Sequence, residues 1–148
     1  MGLSERLGDG SAVLGVVGLG YVGLPLAVEM AKAGHRVVGF DVSEEKVALL
    51  AAGTSYIPDV PTVDLADLVS RGLIVATTDF SRAADVDAVV ICVPTPLNKN
   101  KEPDTTFMES AARSVVPHLR KGVLVTLEST TIPVPPKRSS SRFWSRRV

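Results

Sequence analysis

Cysteine, aromatics, net charge and long apolar runs are all scarce here, and each scarcity excludes something. Cys92 is the one cysteine in 148 residues, so no internal disulfide can form and no CxxC metal site exists. That usage fits a reducing compartment, and the cytoplasm is the expected location. Aromatic residues make up 5% of the chain. The apolar mass rests instead on Val, Leu, Ala and Ile, the side chains of buried parallel strands and of the helices that cover them. No apolar run approaches the roughly 18 residues of a membrane span. The opening residues 1–11 are polar and glycine-containing, without the apolar centre of a signal peptide. No membrane partner is expected.

Net charge is also missing: 16 basic residues balance 16 acidic ones. The balance is uneven along the chain. Lys137, Arg138, Arg142, Arg146 and Arg147 crowd the last twelve residues, which hold no acid. Everything before them is mildly acidic and lacks the basic footprint of a nucleic-acid binder. With 45% hydrophobic and 22% charged residues, the chain reads as one ordinary globular domain.

What is present is a regular alternation. Residues 13–17 (VLGVV) form a short apolar run that stops at glycines, as a buried strand does. Residues 22–33 place Val22, Leu26, Met30 and Ala33 at helical spacing, with Pro25 in the tolerant first turn and Gly34 as a stop. Residues 36–40 (RVVGF) read as a second strand ending at Asp41. Ser43 can cap a helix through Ala52, with Glu44 and Glu45 favourably placed in its first turn.

Further along, 54–61 is a proline-bearing loop and 64–71 a short helix closed by Gly72. Residues 73–77 and 87–93 are strands, and 94–103 is a polar connection. Asp104 is the expected cap of a helix to about Leu119, and 122–127 is a further strand. Short strands alternating with helices predict an α/β fold: a doubly wound parallel sheet of Rossmann type with helices on both faces. The expected division is a tail at 1–12, the Rossmann domain at 13–131 and a basic tail at 132–148.

The chemistry sits at the first strand–helix junction. Gly18-Leu-Gly20-Tyr-Val-Gly23 is a GxGxxG motif. Alone it is weak, but here it follows a predicted strand and opens a predicted helix. The second strand then ends in Asp41, 18 residues after Gly23. Gly18 allows the tight turn, Gly20 lets a diphosphate approach the backbone, and Gly23 lets the helix pack against the sheet. Free N–H groups and the helix dipole favour a diphosphate there. Asp41 can accept from ribose hydroxyls and would repel a 2′-phosphate, which favours NAD over NADP. A glycine turn with no ligand, or a flavin or S-adenosylmethionine site, is the alternative on these residues alone.

Four ordered blocks then resemble one family, the UDP-glucose/GDP-mannose dehydrogenases. Residues 17–27 (VGLGYVGLPLA) are similar to its opening motif. Residues 53–59 (GTSYIPD) and 92–104 (CVPTPLNKNKEPD) are similar to its branch acting on UDP-N-acetylhexosamines. Residues 128–131 (ESTT) resemble its motif facing the nicotinamide. The two middle blocks argue against a hydroxyacid- or phosphogluconate-type dehydrogenase.

The resemblance implies NAD as cofactor and a UDP-sugar as substrate. It implies oxidation of the C6 hydroxyl to a carboxylate with two NAD, through a thiohemiacetal and thioester on a catalytic cysteine. It also implies a homodimer at full length. It assigns Tyr21 and Val22 to the diphosphate turn, Asp41 and Lys46 to the adenosine ribose, and Thr95 and Thr130 to the nicotinamide side, where Thr130 can also help order the catalytic water. Lys46 reads equally as a solvated helix lysine, and the two threonines as turn and strand-end hydrogen-bonding residues.

Cys92 lies inside an apolar strand and does not correspond to the family's nucleophile, which comes later in the family's chain. His35 and His118 match no catalytic position. The expectation is therefore a chain without the catalytic cysteine, inactive alone, and either the cofactor half of the dehydrogenase or a non-catalytic NAD-binding or oligomerising module. The resemblance stops after Thr131. Loss of one base would turn the family's Tyr-Pro-Gly-Thr-Thr-Glu-Glu continuation into the Ile132-Pro-Val-Pro-Pro-Lys137 found here, so a frameshift is expected, with poor order beyond it. A natural basic tail or a cloning scar is the alternative.

Overall fold

Five short strands lie side by side, all parallel, in the order β3-β2-β1-β4-β5. The computed structural model describes residues 2–128. The strands are β1 (Val13–Val17), β2 (Arg36–Phe40), β3 (Ile74–Thr77), β4 (Ala88–Ile91) and β5 (Leu124–Leu127). The helices are α1 (Leu3–Asp9), α2 (Gly23–Lys32), α3 (Glu44–Ala51), α4 (Thr62–Ser70) and α5 (Thr106–Val115). This is the doubly wound arrangement that the strand–helix alternation predicts. The chain order reverses direction at β1, so β1 and β4 part their following loops there, and that is where such sheets bind ligands.

Alternation along each strand splits the core in two. Val16, Val37 and Ile74 face one side with Leu24, Ala27, Val28 and Leu65 from α2 and α4. Val17, Val38, Phe40, Val89 and Ile91 face the other, under Ala111, Ala112 and Val115 of α5. Both faces are apolar because helices cover both, which is why the strands read as continuous apolar runs.

Three elements differ from the sequence reading, each for a tertiary or backbone reason. The expected tail at 1–12 contains α1, which is too short to be stable alone. Its Arg6 donates to the Asp87 carboxylate and to the Ser11 carbonyl, and Gly10 closes it in the left-handed conformation. Asp87 also accepts from Val13 N–H at 2.8 Å and from Arg120 at 3.1 Å, so one carboxylate joins α1, β1 and the approach to β5. The helix expected from Asp104 to Leu119 runs over Thr106–Val115, and 116–118 tighten into a 3-10 turn because Pro117 has no N–H to continue the α ladder. Its cap position is Thr105, although the Asp104 carboxylate still accepts from Thr106 N–H at 2.9 Å. Finally, Phe80–Asp85 form a 3-10 helix that the sequence pattern does not announce, seated by Phe80 stacking on Phe40 with ring centroids 5.7 Å apart.

Candidate functional site

The three glycines of the motif stand in the structure for three different reasons. Gly18 follows β1 with φ +92, and a Cβ there would lie 2.6 Å from the Cys92 carbonyl oxygen. Gly23 opens α2, and a Cβ there would sit 1.6 Å from the Gly18 carbonyl oxygen. Both are required by the protein's own backbone. Gly20 is not: a Cβ there would meet nothing within 4 Å, and its φ is not left-handed. The protein does not itself use the room that Gly20 leaves. Among the described residues, the amides of Gly20, Tyr21, Val22 and Gly23 donate to no acceptor. Open space in front of several free N–H groups at a helix start suits a diphosphate.

Leu19, between the first two glycines, is fixed on three sides. Its side chain is fully buried and fills the space left by Gly39 of β2, where a Cβ would come within 2.8 Å of it. Its N–H donates to the Asp41 carboxylate at 2.8 Å. Its carbonyl accepts from the Tyr56 hydroxyl at 2.6 Å. Tyr56 belongs to the loop between α3 and α4, whose Ile57 and Val60 are buried in the same core cluster as Leu19. Burial, with a smaller push from the Asp41 charge, raises the Tyr56 hydroxyl from its ordinary 10 to about 12, so it remains a donor at neutral pH. Leu19, Gly39 and the brace from Tyr56 were not identified from sequence. The glycine inside a strand pattern was the available signal, since it marks a close approach.

Asp41 is the one buried charged residue among those described, 8% exposed. Its other oxygen accepts from Ser43 N–H at 2.9 Å. Two backbone bonds leave each carboxylate oxygen a second lone pair, enough for a pair of ribose hydroxyls. Ser43 in turn caps α3, accepting from Lys46 N–H at 3.3 Å. Lys46 is half-buried in the first turn of α3, so Asp41 and Lys46 share the C-terminal end of β2.

Tyr21 and Val22 stand largely exposed at the turn, 77% and 58%. Thr95 lies in the loop that leaves β4, the strand beside β1. These residues therefore cluster at the C-terminal ends of β1, β2 and β4. Thr130, with the rest of 129–131 and the tail 132–148, lies outside the described residues. Cys92 is buried beneath the turn, and burial, then the Glu128 charge, pushes its thiol up to about 11. It is protonated at neutral pH and a poor nucleophile. His35 directly precedes β2, and His118 ends the 3-10 turn that follows α5, so neither belongs to the glycine turn or to the start of α2. No group of three or more His, Cys, Asp or Glu that could hold a metal ion occurs among the described residues, and no helix among them is long and apolar enough to cross a membrane.

Known proteins agree with this geometry. Residues 12–142 match the UDP-glucose/GDP-mannose dehydrogenase family, NAD binding domain, a match that runs past Thr131, where the motif blocks end. The chain is 42% identical over 122 residues to the UDP-N-acetyl-D-mannosamine dehydrogenase of Escherichia coli, covering 81% of this chain and 28% of that protein. It is 42% identical over 120 residues to the NDP-N-acetyl-D-galactosaminuronic acid dehydrogenase of Ralstonia nicotianae, covering 80% of this chain and 27% of the relative. The crystal structure of NDP-N-acetyl-D-galactosaminuronic acid dehydrogenase from Methanosarcina mazei superposes with a TM-score of 0.79 at 31% identity, over 99% of this chain and 34% of that one. The chain thus spans under a third of the length of these curated relatives. These matches decide against the flavin, S-adenosylmethionine and hydroxyacid-type readings. With its glycine turn, its buried acid after β2 and this family match, the chain belongs to the UDP-glucose/GDP-mannose dehydrogenase family as its NAD-binding domain.

Proposed function

We propose that this chain is the cofactor-holding part of an enzyme that oxidises the C6 hydroxyl of a UDP-N-acetylhexosamine to the uronic acid, using two NAD. The observation that carries the cofactor half of this reading is Gly20, the one motif glycine without an intramolecular reason. The substrate half is supported by the 53–59 and 92–104 blocks and by the relatives, which are dehydrogenases of N-acetylated sugar nucleotides. NAD supplies the hydride acceptor. The residues of this chain bind and orient it. The amides of Gly20, Tyr21, Val22 and Gly23 receive the diphosphate, Asp41 and Lys46 the adenosine ribose, and Thr95 and Thr130 the nicotinamide side, with Thr130 also helping to order the catalytic water.

The covalent step of the reaction needs a thiolate, and the chain's single cysteine is a buried thiol with a raised pKa. The chain alone therefore binds NAD without turning over sugar nucleotide. The complete enzyme is expected to be a cytoplasmic homodimer. We read 1–12 as an appendage to the domain, 13–131 as the cofactor domain and 132–148 as a basic tail, frameshifted from a longer reading frame. The purified chain, given NAD and UDP-N-acetylmannosamine or UDP-N-acetylglucosamine, is expected to give no absorbance at 340 nm while NAD titration saturates. Steady NADH production would refute the assignment of catalysis to groups outside this chain. Sequencing the gene beyond codon 131 tests the frameshift, since a family-like frame in another register is expected.

A further inference from the structure

Leu19 sits between two glycines, and glycine gives up more backbone freedom on ordering than any other residue. A turn built as Gly-Leu-Gly is therefore ready to hold a ligand only if something else holds the turn. The buried Leu19 side chain fixes where the residue is, but not how its two peptide planes are oriented. The plane joining 18 and 19 is set by Leu19 N–H donating to Asp41. The plane joining 19 and 20 carries the Leu19 carbonyl and the Gly20 N–H. Gly20 accepts either sign of φ, so that plane can rotate end for end unless its carbonyl is tethered. The tether is the Tyr56 hydroxyl at 2.6 Å. A rotation would turn the Leu19 carbonyl, a partial negative charge, toward the space where the Gly20 amide should meet a diphosphate.

We propose that Tyr56 is a positioning residue for the diphosphate-binding turn, holding the 19–20 peptide plane so that the Gly20 N–H faces the ligand. The inference rests on the NAD-binding reading and adds to it a residue from a loop that touches no motif glycine in sequence. The loop is built to hold the hydroxyl still. Ile57 and Val60 are buried beneath it, Val60 N–H donates to the Ile57 carbonyl at 3.0 Å, and Ser55 N–H donates to the Thr62 hydroxyl at 3.2 Å. Gly53, at the loop's start, has a left-handed φ of +72 and lets the chain pass close to α4, where a Cβ would lie 3.0 Å from the Ala66 Cα. A hydrogen bond accepted by the Leu19 carbonyl also polarises its own peptide, which strengthens the Gly20 N–H as a donor. Holding the plane before binding removes an ordering cost from the affinity.

The test compares the wild-type chain with Tyr56→Phe, which keeps the ring and removes only the donor. Calorimetry gives the Kd for NAD, NMR titration the Kd for adenosine, which lacks the diphosphate, and the same spectra follow the Gly20 amide. The expected result is a Kd for NAD raised roughly three- to tenfold, as for one lost hydrogen bond. Adenosine affinity should stay unchanged and the Gly20 resonance should move while the strand amides keep their dispersion. An unchanged Kd for NAD in the folded variant would overturn the proposal. Equal weakening of NAD and adenosine, or loss of strand dispersion, would also overturn it by making Tyr56 a general structural residue. Wild-type chain that fails to bind NAD at all would remove the cofactor reading and this proposal together, an outcome distinct from failure of the variant alone.

Discussion

Replacing each motif glycine with alanine should separate the protein's needs from the ligand's. At Gly23 the new Cβ would lie 1.6 Å from the Gly18 carbonyl oxygen. The obstacle is backbone, so either the start of α2 or the end of β1 must move, at a cost of about 3 kcal/mol or more. At Gly18 the left-handed φ of +92 disfavours any side chain by about 1–2 kcal/mol, and the Cys92 carbonyl oxygen 2.6 Å away adds to that. At Gly20 neither term exists, and alanine should leave stability unchanged or raise it by about 0.4–1 kcal/mol through the unfolded chain. At this chain length 1 kcal/mol moves the Tm by about 2–4 °C, so thermal melts followed by circular dichroism can rank the three. The order expected is Gly20→Ala near wild type, then Gly18→Ala, then Gly23→Ala. NAD affinity should follow a different order. Gly20→Ala, though stable, should bind at least about tenfold more weakly, a loss of about 1.4 kcal/mol, because its methyl group occupies the space in front of the free amides. A well-folded Gly20→Ala that binds NAD as wild type does would refute the placement of the diphosphate on this backbone. A Gly20→Ala less stable than Gly23→Ala would refute the steric assignment itself.

Two other perturbations probe the frame around the site. Cys92 is held protonated up to about pH 11, whereas an unfolded thiol ionises near 9. The unfolded chain therefore sheds its proton first, and the stability contributed by Cys92 is complete below pH 9 and lost as pH rises from 9 to 11. Thiol-reactive dye should label the folded chain slowly at pH 8, and Cys92→Ser should flatten that alkaline loss in urea melts. Asp87→Ala removes the acceptor shared by Arg6, Val13 and Arg120, leaving a part-buried N–H and two cations without their partner. It should cost about 2 kcal/mol, and hydrogen exchange should show α1 losing protection before the sheet does.

The strands were the most legible part of the chain. The predicted 13–17 and 36–40 have the bounds of β1 and β2, because each run is closed by a residue with a job at the turn, Gly18 and Asp41. The 87–93 run overshoots β4, since Cys92 and Val93 remain apolar after the ladder ends. The glycine motif and Asp41 were visible because they recur at fixed offsets along one segment. What holds them was not. Tyr56 meets Leu19 across 37 residues, and Arg6 meets Asp87 across 81. Neither pair leaves a periodic trace. The α1 helix and the 3-10 turn at Phe80–Asp85 depend on such distant partners, Asp87 and Phe40, and local propensity carries no record of them.

Calorimetric titration of the intact chain with NAD, repeated with NADP, tests the binding picture most directly. Saturation at one NAD per chain is expected, with NADP at least about tenfold weaker because its extra phosphate would meet the buried Asp41 carboxylate. Heat without saturation, or equal affinity for the two dinucleotides, would contradict it.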